Sequence, residues 1–173
     1  MTVSRRVSDV PGADEALVFL GDAYRMRLRR PGRTVEHPVA VAGLLADDAQ
    51  PPRVVVAGIL HDVLEDTDAT GGEIEAQFGS DIERQVAALT EDPSLPKYRT
   101  RKAALRRRIL DAGAEAAAVS LADKAAKLRS VDSRPAKRKL HHYGETLRGI
   151  EQRYGPSRLS AMLREELDRW PDG

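Results

Sequence analysis

The residues from Ile59 to Thr67 read Ile-Leu-His-Asp-Val-Leu-Glu-Asp-Thr, which gathers one imidazole and three carboxylates. Just upstream, Val54, Val55, Val56, Ala57, Ile59 and Leu60 are apolar around the whole circumference of a predicted helix. Such a helix belongs inside a fold, where ionised groups are costly unless they have partners. A bound cation that holds the acids together is the economical partner. His61 and Glu65 are four residues apart, as are Asp62 and Asp66, so each pair stacks on one helical face. His61 and Asp62 stand about 100° apart around the axis and can aim at one point beside the helix. Glu65 and Asp66 lie about 5 Å further along. The spacing separates a metal-holding pair, His61 and Asp62, from a pair, Glu65 and Asp66, that could handle a proton or a water. A His-Asp dipeptide by itself would read as a chance run at a helix end. The full HDxxEDT after an all-apolar run favours the chemical reading.

The rest of the chain bounds what such a site can serve. A length of 173 residues suits one domain with a proper core. The absence of cysteine excludes a disulfide framework or a thiolate site and suits a reducing, cytoplasmic setting. The first residues are polar rather than signal-like, and no apolar run approaches the roughly 20 residues of a membrane span. With a formal net charge of +1 there is no global field to recruit nucleic acid. The expected partner is a small molecule. Self-association is left open.

Helical periodicity runs through nearly the whole chain. Residues 1–13 lack it and read as a flexible N-terminal arm; residues 14–173 read as one helical domain. Leu17, Leu20, Tyr24 and Leu28 mark a helix that ends before Pro31-Gly32. Its predicted last turn carries Arg25, Arg27, Arg29 and Arg30. These either complement the helix C-terminus or, for Arg29 and Arg30, grip a nucleotide with a planar guanidinium. Pro38 suits a first helical turn and leaves His37 at its mouth. The buried face of that helix is Val39, Ala42 and Leu45 or Val41, Leu44 and Leu45. Thr70 with Glu73 and Ser80 with Glu83 read as capping boxes of two scaffold helices. A basic helix follows, with Lys97, Arg99, Arg101, Lys102, Arg106, Arg107 and Arg108 around Tyr98, Leu105 and Ile109; charge runs of this kind are usually solvated faces. After Gly113 an alanine-rich stretch reads as a second interior helix, with Asp123 as its odd carboxylate. By spacing alone Asp123 pairs with Lys127. Two further helices separated by Gly155-Pro156 close the chain. His141 and His142 lack a ligand pattern and read as surface residues.

His61 to Thr67 resembles the signature of the HD-domain metal-dependent phosphohydrolases. More narrowly it is similar to the alarmone (ppGpp) hydrolases, both the hydrolase domain of RelA/SpoT-type proteins and the small stand-alone enzymes. His37-Pro38, the order of EDT followed by a short helix ending Phe78-Gly79, the stretch from Leu89 to Lys97, and Leu121-Ala122-Asp123-Lys124 carry the same resemblance. It implies an all-α fold, an HD-type helical bundle. It implies that His37, His61, Asp62 and Asp123 hold one divalent metal and that Glu65 and Asp66 are catalytic. It also implies substrate contacts from Lys97 and Arg101, with Lys124 neutralising substrate charge. A mixed nitrogen and oxygen set suits manganese, iron or zinc; the resemblance favours manganese.

The implied reaction removes pyrophosphate from the 3′ position of ppGpp, giving GDP and pyrophosphate. Two departures bear on the substrate. The family carries a tyrosine in a Gly-x-Pro-Tyr segment before the His-Pro pair, whereas here the stretch is Pro31-Gly32-Arg33-Thr34-Val35-Glu36. An asparagine four residues after the last aspartate is replaced by Lys127, which then joins the substrate-facing candidates. The alternatives are an HD phosphohydrolase of another nucleotide, NADPH at its 2′-phosphate or a nucleoside phosphate, and a non-catalytic HD-fold binding module.

Overall fold

Among residues 6–170, which the computed structural model describes, the chain is helical throughout. A 3-10 turn at Val7–Asp9 precedes α1 (Ala13–Arg27), α2 (Glu36–Asp47), α3 (Pro52–Leu60), α4 (Val63–Asp66), α5 (Gly71–Phe78), α6 (Ser80–Leu89), α7 (Tyr98–Ala112), α8 (Ala114–Arg129), α9 (Lys137–Tyr154) and α10 (Arg158–Asp168). An isolated antiparallel bridge joins Leu28 to Thr67. This is the expected all-α architecture around one continuous core.

Every residue of α3 from Val54 to Leu60 is buried, against α1, α2, α6 and α8. Each valine, isoleucine or leucine so enclosed contributes roughly 1.5–3 kcal/mol, which holds α3 at the centre. The second interior helix is α8, whose alanines let its neighbours approach closely; Ala117, Ala118, Ala122 and Ala125 are all buried. α2 and α3 meet at Gly58, where an added Cβ would lie 2.4 Å from Leu45 Cδ1. Leu45 has no exposed surface, so only glycine allows that crossing. Of the two faces expected for α2, Val41, Ala42 and Leu45 are buried and Val39 is exposed.

Several local expectations change. The central helix does not run on to Asp66. It ends at Leu60, turns through His61 and Asp62, and resumes as the single turn α4. Asp62 sits at φ −98° and ψ −4°, off helical values, while the His61 ring takes the Gly58 carbonyl at 2.7 Å. α1 stops at Arg27 and Leu28 turns extended, so Arg29 and Arg30 follow outside the helix. Their backbone N–H groups donate to the Asp66 carbonyl at 2.7 and 3.3 Å, which draws the chain out of the helix. α2 begins at Glu36, so His37 lies within its first turn rather than at its mouth; Pro38 is tolerated there because early N–H groups have no helical acceptor.

The Thr70–Glu73 capping box forms. The one expected at Ser80 does not: Gly79 is the N-cap, without a side-chain bond. A capping box that sequence reading passed over joins Ser157 and Ser160. Of the arm expected over residues 1–13, residues 1–5 lie outside the described residues. Val10 and Ala13 are buried in the core, since apolar groups there gain by leaving water.

Candidate metal and phosphate site

The break between α3 and α4 places two side chains at one point. His61 Nε2 lies 3.2 Å from Asp62 Oδ2 and 3.3 Å from Asp123 Oδ1. His37 Nε2, from α2, reaches Asp123 Oδ1 at 2.9 Å and Asp62 Oδ2 at 3.8 Å. One ligand atom from each of His37, His61, Asp62 and Asp123 lies within 4.8 Å of the others. Three separate stretches of chain thus deliver two imidazoles and two carboxylates to a common centre.

The chemistry of this cluster fits a cation. His61 is buried, and its Nδ1–H donates to Gly58, which leaves Nε2 with a lone pair. No hydrogen bond of acceptable geometry reaches that buried Nε2, and a divalent ion is its natural partner. Without an ion, burial disfavours a charge on the ring. Asp62 and Asp123 outweigh burial and push the His61 pKa up to about 10. Burial likewise opposes ionisation of Asp62 and Asp123, yet His61, Lys127 and, for Asp123, His37 hold both carboxyls well below the usual range. Two persistent anions facing two imidazoles are what a divalent metal of borderline softness selects.

Beside the cluster opens a cavity of about 60 Å³ lined by Glu65, Lys124, Lys127, His142 and Tyr143, among others. Glu65 enters it from α4. Its Oε1 accepts from the Glu91 backbone N–H at 2.6 Å. Burial raises the Glu65 pKa, against the pull of that N–H. Asp66 behaves differently. Tyr24 donates to its Oδ2 at 2.8 Å, and Arg30 and Arg33 approach its Oδ1 at 3.4 and 3.6 Å. The expected Glu65–Asp66 pair therefore divides. Glu65 faces the cavity, and Asp66 fastens α1 and the arginine segment to α4. Arg30 spans them, 3.1 Å from Glu65 Oε2.

The basic candidates also separate. Arg30 meets Glu65, but Arg29 turns away to the Leu64 carbonyl and Asp68. Arg101 holds Glu91 at 2.6 Å and the Leu95 carbonyl. Lys97 is exposed at the start of α7. Lys124 is buried behind the cluster, with Nζ 2.8 Å from Ser120 Oγ; burial pushes its pKa down to about 8. Lys127 reaches Asp123 Oδ1 at 2.7 Å and Asp62 Oδ2 at 3.8 Å. His142 is not a surface residue. It is buried against the cavity, and Arg106 donates to its Nδ1 at 3.0 Å. Burial, then Lys124, Lys102 and Arg106, depress its pKa to about 2. Sequence reading took Tyr24 only as marking a helix and gave no site role to Tyr143 or Glu91. Only the inward stripe of α9, Leu140, Tyr143 and Leu147, hinted that His142 sits beside a buried face.

The family profile described as "HD domain" matches residues 16–148. The chain belongs to the HD-domain family. This HD domain is 37% identical over 123 residues to the mouse (Mus musculus) protein named guanosine-3′,5′-bis(diphosphate) 3′-pyrophosphohydrolase MESH1, covering 68% of each chain. It is 35% identical over 91 residues to the bifunctional (p)ppGpp synthase/hydrolase SpoT of Escherichia coli K12, covering 52% of this chain and 13% of that one. A solved structure described as a metazoan ortholog of SpoT that hydrolyzes ppGpp superimposes with a TM-score of 0.72 at 27% identity, over 90% of this chain and 93% of the other. The matched span of the HD domain contains His37, His61, Asp62, Glu65, Asp66 and Asp123.

Proposed function

We propose that this HD domain is a metal-dependent pyrophosphohydrolase that removes the 3′-pyrophosphate of ppGpp to give GDP and pyrophosphate. The observation that carries the chemistry is the convergence of His37, His61, Asp62 and Asp123 beside the cavity that Glu65 enters. The substrate class is supported by the named relatives. The four residues hold one divalent cation, manganese by preference, which acidifies water and polarises a phosphoryl group when bound.

The chain's own groups then divide the work. Glu65, its carboxyl raised by burial, accepts a proton from the attacking water, since a base works best with a pKa near the operating pH. The Glu91 N–H aims one Glu65 oxygen and leaves the other toward Arg30. Water adds to phosphorus, the ribose 3′ oxygen-to-phosphorus bond breaks, and a proton ends on that oxygen. Asp66 positions Arg30 and Arg33 through Oδ1 and is itself held by Tyr24 at Oδ2. Arg30, Lys124 and Lys127 offset phosphate charge as it develops, with Lys97 and Arg101 as further contacts at the start of α7 and Arg29 at the rim. No helix among the described residues is long and apolar enough to cross a membrane; we place the protein in the cytoplasm, where such nucleotides are found.

Purified protein with manganese should release pyrophosphate from ppGpp. Release of phosphate from NADPH or nucleoside phosphates, with ppGpp untouched, would move the assignment to another nucleotide. Metal binding without turnover of any phosphoester would leave a binding module.

A further inference from the structure

We propose that Lys127 is a tethered counter-ion of the metal cluster. Its ammonium competes with the divalent cation for the two ligating carboxylates, and a substrate phosphate relieves that competition by drawing the ammonium away. The inference deepens the hydrolase reading and rests on the four metal ligands assigned above.

The contacts are specific to the inward oxygens. Lys127 Nζ lies 2.7 Å from Asp123 Oδ1 and 3.8 Å from Asp62 Oδ2. These are the oxygens that face the two imidazoles: Asp123 Oδ1 meets His37 and His61 at 2.9 and 3.3 Å, and Asp62 Oδ2 meets His61 at 3.2 Å. Lys124 behaves otherwise. It lies 3.7 Å from the other oxygen of Asp123, Oδ2, and is anchored by Ser120 at 2.8 Å. Lys124 is therefore held at the Oδ2 side of Asp123, while Lys127 reaches the two carboxylate oxygens that face the imidazoles.

The tether follows from position. Lys127 is one helical turn past Asp123 on α8, so its ammonium cannot drift far from the cluster. Its four-carbon stem is flexible, and 27% of the side chain is exposed, which gives it room to swing outward. Two carboxylates balance one divalent cation; Lys127 adds a positive charge beyond that balance. The surplus weakens the hold on the metal and favours an anion on the open side. An ammonium shared between the carboxylates and a phosphate makes metal and phosphate each strengthen the other's binding.

Manganese titration of the metal-free full-length protein by calorimetry tests this, comparing wild type, Lys127→Gln, Lys127→Met, Lys127→Arg and Asp123→Asn. The neutral variants should bind manganese about ten- to a hundredfold more tightly, and Lys127→Arg should stay near wild type. In steady-state assays Lys127→Gln should need less manganese for half-activation and more nucleotide for half-saturation. Opposite movements of the two constants are not what a merely structural lysine would produce. Unchanged or weaker manganese binding in both neutral variants, with helical circular dichroism intact, would overturn the proposal. If Asp123→Asn loses manganese while Lys127→Gln matches wild type, this inference fails and the metal site stands. If wild type binds no manganese, both fail.

Discussion

Glu91 donates its backbone N–H to Glu65 Oε1 at 2.6 Å, while its own carboxylate is clasped by Arg101 and Lys102. The carboxylate proposed as the base is thus aimed by the loop between α6 and α7, and that loop is fixed by the basic helix α7. Burial opposes the negative charge of Glu91, but Lys102 and Arg101 hold its pKa below the usual value. A segment that reads as a solvated charge run is here a brace for the site.

The separation of ligand from base is testable. Asp62→Ala should abolish both metal content and activity. Glu65→Gln should keep the metal, measured by elemental analysis, and lose about 10²- to 10⁴-fold in kcat, the usual worth of a positioned acid–base group. Equal loss of metal from both variants would contradict the division.

Tyr24 and Asp66 make the second relationship. Burial and then the hydrogen bond to Asp66 raise the Tyr24 pKa, so the phenol remains a donor across the physiological range. Tyr24→Phe removes one partner of a buried carboxylate and should cost about 1–3 kcal/mol of stability by urea denaturation. Activity should fall less than in Glu65→Gln, because only the arginine segment loosens.

Gly58 sets the distance between the helices that carry His37 and His61. Gly58→Ala forces a methyl to within 2.4 Å of Leu45 Cδ1 and should destabilise by about 1–3 kcal/mol. Manganese affinity should fall with it, since the Gly58 carbonyl also orients His61. Adding Leu45→Ala should return part of the metal affinity although it creates a cavity of its own. Strictly additive losses in that pair would show that the crossing does not govern the site.

The buried His142 predicts an acid limit. Its pKa, about 2 in the fold, rises to about 6.5 when the chain unfolds. The unfolded state therefore binds the extra proton. The stability contributed by neutral His142 is complete above pH 6.5 and is lost as pH falls below it, by up to about 1.4 kcal/mol per pH unit. Asp62, Asp123 and Glu91, held below the usual carboxylate range, add acid-limb slope of the same sign. His61 in metal-free protein acts in the opposite sense only above pH 6.5, so the comparison must be between variants. His142→Gln should flatten the acid limb of unfolding free energy against pH relative to wild type; identical slopes below pH 6.5 would refute the assignment.

Much of this protein could be read from local order. The 3.6-residue periodicity, the caps and the breakers are properties of short windows, and they outline α1, α2, α5 and α7 to α10 closely. The all-apolar run of α3 placed it at the centre, because nothing on it could face water. The HDxxEDT spacing put an imidazole and a carboxylate at one corner, and backbone geometry alone makes those neighbours converge. What resemblance added, His37 and Asp123 at that same corner, lies beyond any window, since the residues are 86 apart in sequence.

The remainder depended on which surfaces meet. His142 is one residue from the exposed His141, and only the packing of α9 against α7 and α8 decides which of the two is enclosed. Glu65 and Asp66 are adjacent, yet the break after Leu60 and the bridge from Leu28 to Thr67 send one into the cavity and the other to Tyr24. Arg29 and Arg30 likewise part company where extended backbone replaces helix. Residue types and short spacings determined which chemistry the chain carries. Tertiary packing decided which of those groups share a point in space, because the energies that choose between adjacent side chains come from contacts distant in sequence.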